Sequence, residues 1–208
     1  MADELARMFD GMYAEAGRDD TAVPWQHAGS RQVVARWLQS YEAVPHARAL
    51  VVAAGLGDDA AALARLGLDV VAFDLSESAV EWARERHAGL PVSWSVADLL
   101  DPPDEWVGAF DLVLEVFTVQ SVPPERQEEA ARAIASFLAP GGLLVLVAVV
   151  GEPGAVPAGP PWPLDPAMLD RLPLGGDGGP PLDVVVGEDE RLGEAVRLVR
   201  LDLRRPTA

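Results

Sequence analysis

The sequence predicts an α/β protein with a Rossmann-like three-layer sandwich, in which a mostly parallel seven-stranded sheet has helices on both faces. Three observations predict this fold. Short apolar runs alternate with amphipathic helical stretches from residue 48 onward. A glycine-containing turn follows the first run, and two alternating runs near the end of the chain predict an antiparallel edge pair. Half of the residues are hydrophobic and 24% are charged, which is typical of a globular protein.

Five apolar runs predict the parallel strands, and the stretches between them predict helices. The strands are 49–53, 69–73, 92–96, 111–117 and 143–150, and the helices are 58–66, 76–87 and 124–138. Ser76 is suited to cap the second helix, because a serine oxygen accepts a first-turn amide. The third helix opens on Pro123 and Pro124, and the turn Pro140-Gly141-Gly142 ends it and leads into the fifth strand.

The length of 208 residues is enough for one sizeable core, so a single domain over residues 1–208 is predicted. Residues 1–45 are predicted to contain N-terminal lid helices at 4–16 and 30–41, and residues 46–150 to form the cofactor-binding core. Residues 151–208 are a proline- and glycine-rich connection followed by edge strands. That last segment is expected to hold a short helix at 165–172 and strands at 182–186 and 195–204, separated by the acidic stretch Glu188-Asp189-Glu190.

Charge and composition narrow the class of partner. The net charge is -17, with sixteen arginines and no lysine, which would repel a phosphate backbone, so we expect no nucleic acid partner. The longest apolar run, 143–150, is less than half of the about 20 residues that cross a bilayer, so no membrane partner is expected. The chain has no cysteine and begins without the pattern of a secretory signal, which favours a cytoplasmic location. A monomer or homodimer is expected. The three histidines, His27, His46 and His87, lack metal-ligand spacing and are predicted to be surface or loop residues.

The informative residues follow the predicted strands, because ligands of open parallel sheets bind beyond the carboxyl ends of the strands. The first strand is followed by the turn 53–59, where glycines allow a tight turn and close approach of a ligand. The second strand is followed by Asp74, whose carboxylate can accept hydrogen bonds from two ribose hydroxyls. Asp98 follows the third strand, and Glu115 lies at the end of the fourth. Their joint order predicts a nucleotide-type binding site.

Two kinds of nucleotide cofactor fit the glycine turn. Residues 55–60 also match the dinucleotide fingerprint with alanine in the last place, so an NAD(P)-dependent oxidoreductase is an alternative. A pyrophosphate would rest on the first turn of the following helix, which begins with Asp58 and Asp59. Two carboxylates repel a pyrophosphate but not a sulfonium cofactor that has no phosphate. The sequence therefore favours S-adenosyl-L-methionine.

At these residues the chain resembles the class I S-adenosylmethionine-dependent methyltransferases, and more loosely their thiopurine methyltransferase-like small-molecule branch. The resemblance covers about residues 48–150, through the stretches 50–58, 70–76, 96–99, 110–115 and 138–142. Two positions depart from the family pattern: Val51 stands where an acid is usual, and Ala53 where the first glycine is usual. An alanine fits there if its φ is negative.

The resemblance implies a role for each strand-end residue. Gly55 and Gly57 approach the methionine and ribose portions of the cofactor, and Asp74 holds the ribose hydroxyls. Asp98 contacts the adenine amino group, and Leu75 and Leu99 sandwich the adenine ring. The complete predicted cofactor-binding set is Ala53, Ala54, Gly55, Gly57, Asp58, Asp74, Leu75, Ala97, Asp98, Leu99 and Glu115.

The predicted reaction is methyl transfer to a small-molecule acceptor by in-line displacement, in which alignment and exclusion of water matter more than acid–base chemistry. Glu115 is the candidate catalytic base for an acceptor that must lose a proton, and a cofactor-orienting acid is its alternative role. The predicted acceptor pocket is aromatic-lined, and no metal is expected. Its candidate residues are Tyr13, Trp25, Phe117, Gln120 and Trp162. A non-catalytic domain that binds S-adenosylmethionine is the remaining alternative.

Overall fold

A computed structural model of the chain describes residues 2–26, 30–154, 159–169, 171, 182–191 and 197–207. The chain divides into two compact units, Met1–Pro103 and Asp104–Ala208. The predicted arrangement as a single domain therefore stays a prediction. The architecture is Rossmann-like α/β, with mostly parallel strands and helices between them, as the sequence predicts.

The first unit alternates helices with three parallel strands. Its elements are α1 (Ala2–Ala16), α2 (Ser30–Ser40), β1 (Arg48–Val52), α3 (Asp58–Arg65), β2 (Asp69–Asp74), α4 (Glu77–Arg86) and β3 (Val92–Val96). The strands lie in the order β3-β2-β1, with β1 parallel to β2 and β2 parallel to β3. The carboxyl ends of the three strands therefore lie side by side at one edge, which is where a Rossmann-like sheet binds its ligand.

Burial explains why these residues form these elements. Four of the five residues of β1 are buried, so this strand reads as a continuous apolar run. The helix α3 buries only alanines and one leucine, and such small side chains allow close packing on the strands. The side-chain oxygen of Ser76 accepts a hydrogen bond from the Ala79 amide, which confirms the predicted cap of α4.

The second unit contains β4 (Phe110–Val116), α5 (Pro124–Ser136), β5 (Leu138–Val150), α6 (Pro166–Leu169), β6 (Asp183–Arg191) and β7 (Arg197–Arg204). The strands lie in the order β4-β5-β7-β6. The pair β4 and β5 is parallel, whereas β7 pairs in the antiparallel sense with both β5 and β6. The predicted antiparallel edge pair is confirmed.

Most predicted boundaries agree with the structure within two residues, and three differ for physical reasons. The stretch Glu188-Asp189-Glu190 lies inside β6 and pairs with β7, so the prediction that it separates two strands is wrong. The turn Pro140-Gly141-Gly142 lies inside β5, which begins at Leu138, so it does not separate α5 from the strand as predicted. The register against β4 shifts between Phe110 and Leu112, after the first pair of the two strands. The helix α6 spans four residues where a longer one is predicted. Residues 170, 172 and 195–196 of the predicted elements lie outside the described residues.

Among the described residues, no helix is both long and apolar enough to cross a lipid bilayer.

Candidate cofactor and active site

The turn after β1 alternates between ordinary and left-handed backbone conformations. Ala53, Gly55 and Gly57 have φ angles of 47°, 52° and 78°. Two backbone hydrogen bonds fix the turn, from the Ala54 amide to the Phe73 carbonyl at 2.8 Å and from the Gly57 amide to the Ala54 carbonyl at 2.9 Å. This geometry ties the turn to the end of β2 and leads directly into α3.

Ala53 adopts a conformation that L residues other than glycine rarely occupy. The condition under which an alanine fits there without strain is not met, because the φ of Ala53 is 47°. A left-handed conformation costs an alanine about 1–2 kcal/mol, since its Cβ approaches the following carbonyl oxygen. The family preference for glycine at this position has the same physical cause. Backbone strain of this kind is held in place by the surrounding structure and clusters at functional sites.

Gly57 is required by packing within the protein. A Cβ atom on Gly57 would lie 2.3 Å and 2.8 Å from two ring atoms of Trp94 and 3.0 Å from the Cβ of Ala83. These contacts are between the turn, the strand β3 and the helix α4. The missing side chain at Gly57 therefore lets the helix and the strand approach each other, which is one of the recognised roles of glycine in such turns.

Asp74, at the end of β2, has a buried carboxylate that joins two neighbouring turns. Its Oδ2 accepts a hydrogen bond from the Gly55 amide at 2.8 Å, and its Oδ1 accepts one from the Ser76 amide at 3.0 Å. The residue is 7% exposed. Burial raises the pKa of Asp74, against the opposing effect of the amide hydrogen bonds from Ser76 and Gly55. Each oxygen of a carboxylate has two lone pairs, so both retain a site for a further donor.

The residues predicted to hold the adenine ring follow β2 and β3. Leu75 is half-buried and Leu99 is buried. The Ala97 amide donates to the Asp74 carbonyl at 3.1 Å, which places the ends of the two strands together. One oxygen of Asp98 accepts the Leu100 amide at 2.8 Å, so this carboxylate also caps a local turn.

Asp58, in the first turn of α3, is engaged by other side chains of the same unit. Its Oδ2 accepts a hydrogen bond from the side-chain nitrogen Nε2 of Gln26 at 2.5 Å, and its Oδ1 lies 3.4 Å from the Arg86 Nε and 3.5 Å from the His87 Nε2. Arg86 also pairs with Asp20 at 3.0 Å. The positive charge of Arg86 offsets part of the negative charge at this helix terminus, which leaves the repulsion of a pyrophosphate weaker than the sequence alone predicts.

His87 lies in the turn after α4, which agrees with the predicted loop position, but it is not a surface residue, because only 8% of its surface is exposed. Its Nε2 lies 3.0 Å from the Leu56 carbonyl oxygen, and its ring stacks on Trp94 at 6.2 Å between centroids. Burial lowers the pKa of His87, which favours the neutral ring. The side chain of His46 is largely exposed, as predicted, and His27 lies outside the described residues.

Tyr13 and Trp25 form an aromatic pair beside the glycine turn. Tyr13 is 3% exposed and packs with Leu56 and Trp82 in one cluster. The Trp25 indole donates to the Tyr13 hydroxyl at 2.9 Å, and the two rings meet edge to face. The helix that carries Tyr13 therefore lies against the residues that follow β1.

Glu115 is completely buried at the end of β4 in the second unit. Its Oε1 accepts hydrogen bonds from the amides of Thr118 and Val119, whereas its Oε2 has no partner among the described residues. Burial raises the pKa of Glu115 from its ordinary value of 4.5 to about 7. A carboxyl group with one oxygen unpaired in an apolar environment holds its proton more tightly, because ionisation would leave a charge without solvation.

The other predicted residues of the second unit surround the turn after β4. Phe117 has a φ of 66°, and its amide donates to the Val147 carbonyl at 2.8 Å. The Gln120 side-chain oxygen accepts the Val149 amide at 2.6 Å, and the Gln120 carbonyl accepts the Trp162 amide at 2.7 Å. The predicted long connection is therefore attached to the turn after β4 at Trp162, and to β5 at Leu164, whose amide donates to the Val149 carbonyl at 2.9 Å.

Several residues that position this site were not singled out from the sequence. Asp10 accepts hydrogen bonds from the Ser76 hydroxyl at 2.8 Å and the Ser78 amide at 2.9 Å, which attaches α1 to the start of α4. The residues Gln26 and Arg86 complete the network around Asp58. The only sequence signal for Asp10 is its position one helical turn before Tyr13, which places both side chains on the same face of α1.

A strand order of β3-β2-β1, a glycine turn after β1 and a buried acid at the end of β2 are typical of Rossmann-like proteins that bind a nucleoside cofactor. Residues 49–142 match the family model described as a methyltransferase domain. The chain is 28% identical over 159 residues to a probable thiol methyltransferase of Arabidopsis thaliana, covering 74% of this chain and 69% of that protein. It is 36% identical to a ubiquinone biosynthesis O-methyltransferase of Xanthomonas campestris, covering 54% of this chain and 47% of that protein.

Solved structures share the fold at low sequence identity. Magnesium protoporphyrin IX methyltransferase from Synechocystis, solved with S-adenosylhomocysteine, has a TM-score of 0.74 at 18% identity, covering 98% of this chain and 99% of that one. The cyclase SpnF has a TM-score of 0.78 at 18% identity, covering 100% and 98%. The fold alone thus accommodates more than one reaction. The matching methyltransferase domain and these relatives support a class I S-adenosylmethionine-dependent methyltransferase, with S-adenosylmethionine as its cofactor.

Proposed function

We propose that the chain transfers a methyl group from S-adenosylmethionine to a small-molecule acceptor, and that the cofactor binds at the carboxyl ends of β1, β2 and β3. One observation carries this assignment. The buried Asp74 carboxylate lies between the Gly55 and Ser76 amides, and both of its oxygens retain acceptor capacity. Two adjacent ribose hydroxyls are donors that match this arrangement.

The neighbouring residues fit the remainder of the nucleoside. We assign the adenine ring to the half-buried Leu75 and the buried Leu99, and the adenine amino group to the second oxygen of Asp98. Ala53, Ala54 and Ala97 offer backbone and small side chains along the same edge. Asp58 contributes to the cofactor site indirectly, because its contacts with Gln26 and Arg86 hold the first turn of α3 in place.

Bound S-adenosylmethionine supplies an electrophilic methyl group on a sulfonium centre. The protein then has to align the acceptor and keep water out, and both tasks suit buried, rigid side chains. We propose that α1 acts as a lid helix, and the lid role of α2 stays a prediction. The supporting contacts are those of Asp10 with Ser76 and Ser78, and those of Tyr13 beside Gly55.

We assign the acceptor to the residues after β4 and in the proline-rich connection. Phe117 and Trp162 offer aromatic surface. The Phe117 amide is held by the Val147 carbonyl, and the Trp162 amide by the Gln120 carbonyl. Glu115 holds the turn through the amides of Thr118 and Val119. Its unpaired Oε2 and its pKa near 7 also suit a base that removes a proton from the methyl acceptor. The catalytic role of Glu115 stays a prediction.

A small-molecule acceptor is supported by the relatives. One is a probable thiol methyltransferase, and another methylates in ubiquinone biosynthesis. The net charge of -17 supports an acceptor other than nucleic acid. We use benzenethiol as the first probe acceptor, because a thiol loses its proton near neutral pH and needs little help from a base. The monomeric or dimeric state and the cytoplasmic location stay predictions.

The test is calorimetric titration with S-adenosylhomocysteine of the wild type, Asp74→Ala and the control Asp69→Ala. Asp69 begins the same strand, and its carboxylate is exposed. We expect micromolar binding by the wild type and the control, and a loss of at least about a hundredfold in Asp74→Ala, since hydrogen bonds to a charged group are strong. Equal affinity in all three proteins contradicts the assignment. Binding of NAD in place of S-adenosylhomocysteine supports the oxidoreductase alternative.

Binding without methyl transfer over a broad panel of acceptors supports the non-catalytic alternative. That panel starts with benzenethiol and extends to hydroxyl and amine acceptors. Methylation of any member, lost in Asp74→Ala and kept in Asp69→Ala, supports the enzyme.

A further inference from the structure

The phenol of Tyr13 is buried, and only half of its hydrogen-bonding capacity is used. The hydroxyl oxygen accepts one hydrogen bond, from the Trp25 indole at 2.9 Å. A tyrosine hydroxyl also has one proton to donate, yet no described residue accepts it. Buried donors in proteins nearly always have a hydrogen-bond acceptor, so we expect a bound ligand to accept this proton.

The protonation state of Tyr13 is suited to donation. Burial raises the pKa of Tyr13, and the negative charge of Asp74 raises it further. The phenol therefore keeps its proton at every pH at which the protein would work. The nearby carboxylate also means that Tyr13 lies close to the position assigned to the ribose.

The hydroxyl of Tyr13 is directed at the glycine turn. A Cβ atom on Gly55 would lie 2.9 Å from the Tyr13 hydroxyl oxygen, so only a glycine leaves room for it there. The Gly55 amide is the group that donates to Asp74 at 2.8 Å. The Tyr13 hydroxyl and the Asp74 carboxylate therefore flank the same residue.

The strand order determines which part of the cofactor reaches Tyr13. The strands lie in the order β3-β2-β1. If adenine lies at the end of β3 and ribose at Asp74 on β2, the amino-acid tail extends past the end of β1, where Gly55 lies. The tail carries a sulfonium, an ammonium and a carboxylate, and only the carboxylate accepts a hydrogen bond.

We propose that the Tyr13 hydroxyl donates a hydrogen bond to the carboxylate of the methionine end of the bound cofactor. This inference rests on the proposed cofactor site, and it moves Tyr13 from the acceptor pocket to the cofactor. Trp25 has a positioning role, because its indole hydrogen bond orients the Tyr13 oxygen and leaves the phenol proton to the ligand.

Asp10 explains how Tyr13 is held in place. It precedes Tyr13 by three residues, on the same face of α1, and accepts hydrogen bonds from the Ser76 hydroxyl and the Ser78 amide. The Ser78 hydrogen bond lowers the pKa of Asp10, so the attachment is ionised at neutral pH. The helix α1 is thus attached to the residues that immediately follow Asp74.

The test compares two ligands that differ in the amino-acid tail. S-adenosylhomocysteine carries the carboxylate, whereas 5′-methylthioadenosine has the same adenosine and thioether without it. Calorimetry is carried out on the wild type, Tyr13→Phe and the control Tyr41→Phe, since Tyr41 is the other of the two tyrosines. Tyr13→Phe keeps the ring that packs on Leu56 and Trp82, and thermal melting confirms that each variant is folded.

We expect Tyr13→Phe to weaken S-adenosylhomocysteine binding by at least about tenfold and to change 5′-methylthioadenosine binding by less than about twofold. Tyr41→Phe should change neither affinity. Unchanged S-adenosylhomocysteine binding in Tyr13→Phe overturns the inference, and so does an equal loss for both ligands, which would indicate packing. Tighter binding also overturns it, because Tyr13 would then block the site. A wild type that binds neither ligand overturns the cofactor site itself.

Discussion

The turn after β1 and the turn after β4 both place a strained residue beside a buried carboxylate, but they differ in their glycine content. Each contains one residue other than glycine at positive φ, Ala53 in the first and Phe117 in the second. Each also lies beside a buried carboxylate that accepts two backbone amides. The first turn has two glycines, whereas the second has none.

The two carboxylates differ in how the amides are shared. Asp74 receives one amide on each oxygen, and both oxygens remain able to accept from a ligand. Glu115 receives both amides on Oε1, and Oε2 is left unpaired. The first arrangement suits an ionised group that binds two hydroxyls, and the second suits a group that exchanges a proton near neutral pH.

The largest expected effect concerns the space at Gly57. Gly57→Ala should lower the free energy of unfolding by about 4 kcal/mol, because the new methyl group overlaps the Trp94 ring and the φ of 78° is unfavourable for alanine. The matched control is Gly67→Ala, at a φ of 87° with no atom near the added carbon, which should cost only about 1–2 kcal/mol. Urea denaturation measures both. Equal losses would show that strain, and not the Trp94 contact, dominates at Gly57.

The pH dependence of stability tests the environment of Glu115. Because the folded-state pKa of about 7 lies above the ordinary 4.5, the folded protein binds this proton more tightly than the unfolded chain does. The stabilising effect of that proton is complete below pH 4.5 and is lost as the pH rises through about 7. From pH 4.5 to pH 8, the wild type should therefore lose about 3 kcal/mol relative to Glu115→Gln.

Urea denaturation of both proteins over this pH range measures the difference. Since other groups titrate equally in both, parallel pH profiles would mean that Glu115 is ionised normally.

A catalytic role for Glu115 is tested with the same variant. If Glu115 removes a proton from the methyl acceptor, Glu115→Gln should bind S-adenosylhomocysteine as the wild type does and lose turnover of a hydroxyl acceptor far more than that of benzenethiol.

Two variants of Phe117 distinguish the effect of its aromatic ring on activity from the effect of its strained backbone. Phe117→Ala and Phe117→Gly both remove the ring, but only the second relieves the φ of 66°. We expect both to lower kcat/KM for benzenethiol by about tenfold, equivalent to 1.4 kcal/mol, with the affinity for S-adenosylhomocysteine unchanged. Recovery of activity in Phe117→Gly alone would show that the ring is dispensable and that the loss in Phe117→Ala comes from its backbone conformation.

The smallest expected effect is at Ala53. Ala53→Gly should raise the free energy of unfolding by about 0.5–1 kcal/mol, because glycine adopts a φ of 47° without the Cβ clash but loses more entropy on folding. Urea denaturation measures the gain. A loss of stability would mean that the exposed methyl group of Ala53 contributes more than its conformation costs.

Sequence patterns located the strands and the site residues of the first unit, because both depend on local signals. Alternation of apolar runs and helices predicted β3 at the exact residues 92–96, and Ser76 caps α4 as expected. The acid after β2 and the glycines after β1 lie where their spacing predicts. These features depend on the chain within about twenty residues.

Features that depend on distant contacts were missed. The role of Gly57 depends on Trp94, 37 positions later, and Asp10 reaches a serine 66 positions away. His87 is buried because it stacks on Trp94 and contacts Leu56, which no local pattern reveals. The acidic stretch in β6 was predicted to separate two strands, because a run of charged residues in an edge strand has the same composition as a loop.

The most direct test of the cofactor site is a crystal structure of the protein grown with S-adenosylhomocysteine. We predict that both ribose hydroxyls lie within hydrogen-bond distance of the Asp74 carboxylate, with the tail beside Gly55. A ligand bound away from Asp74, or a crystal in which Tyr13 fills the place of the ligand tail, would contradict the proposed site.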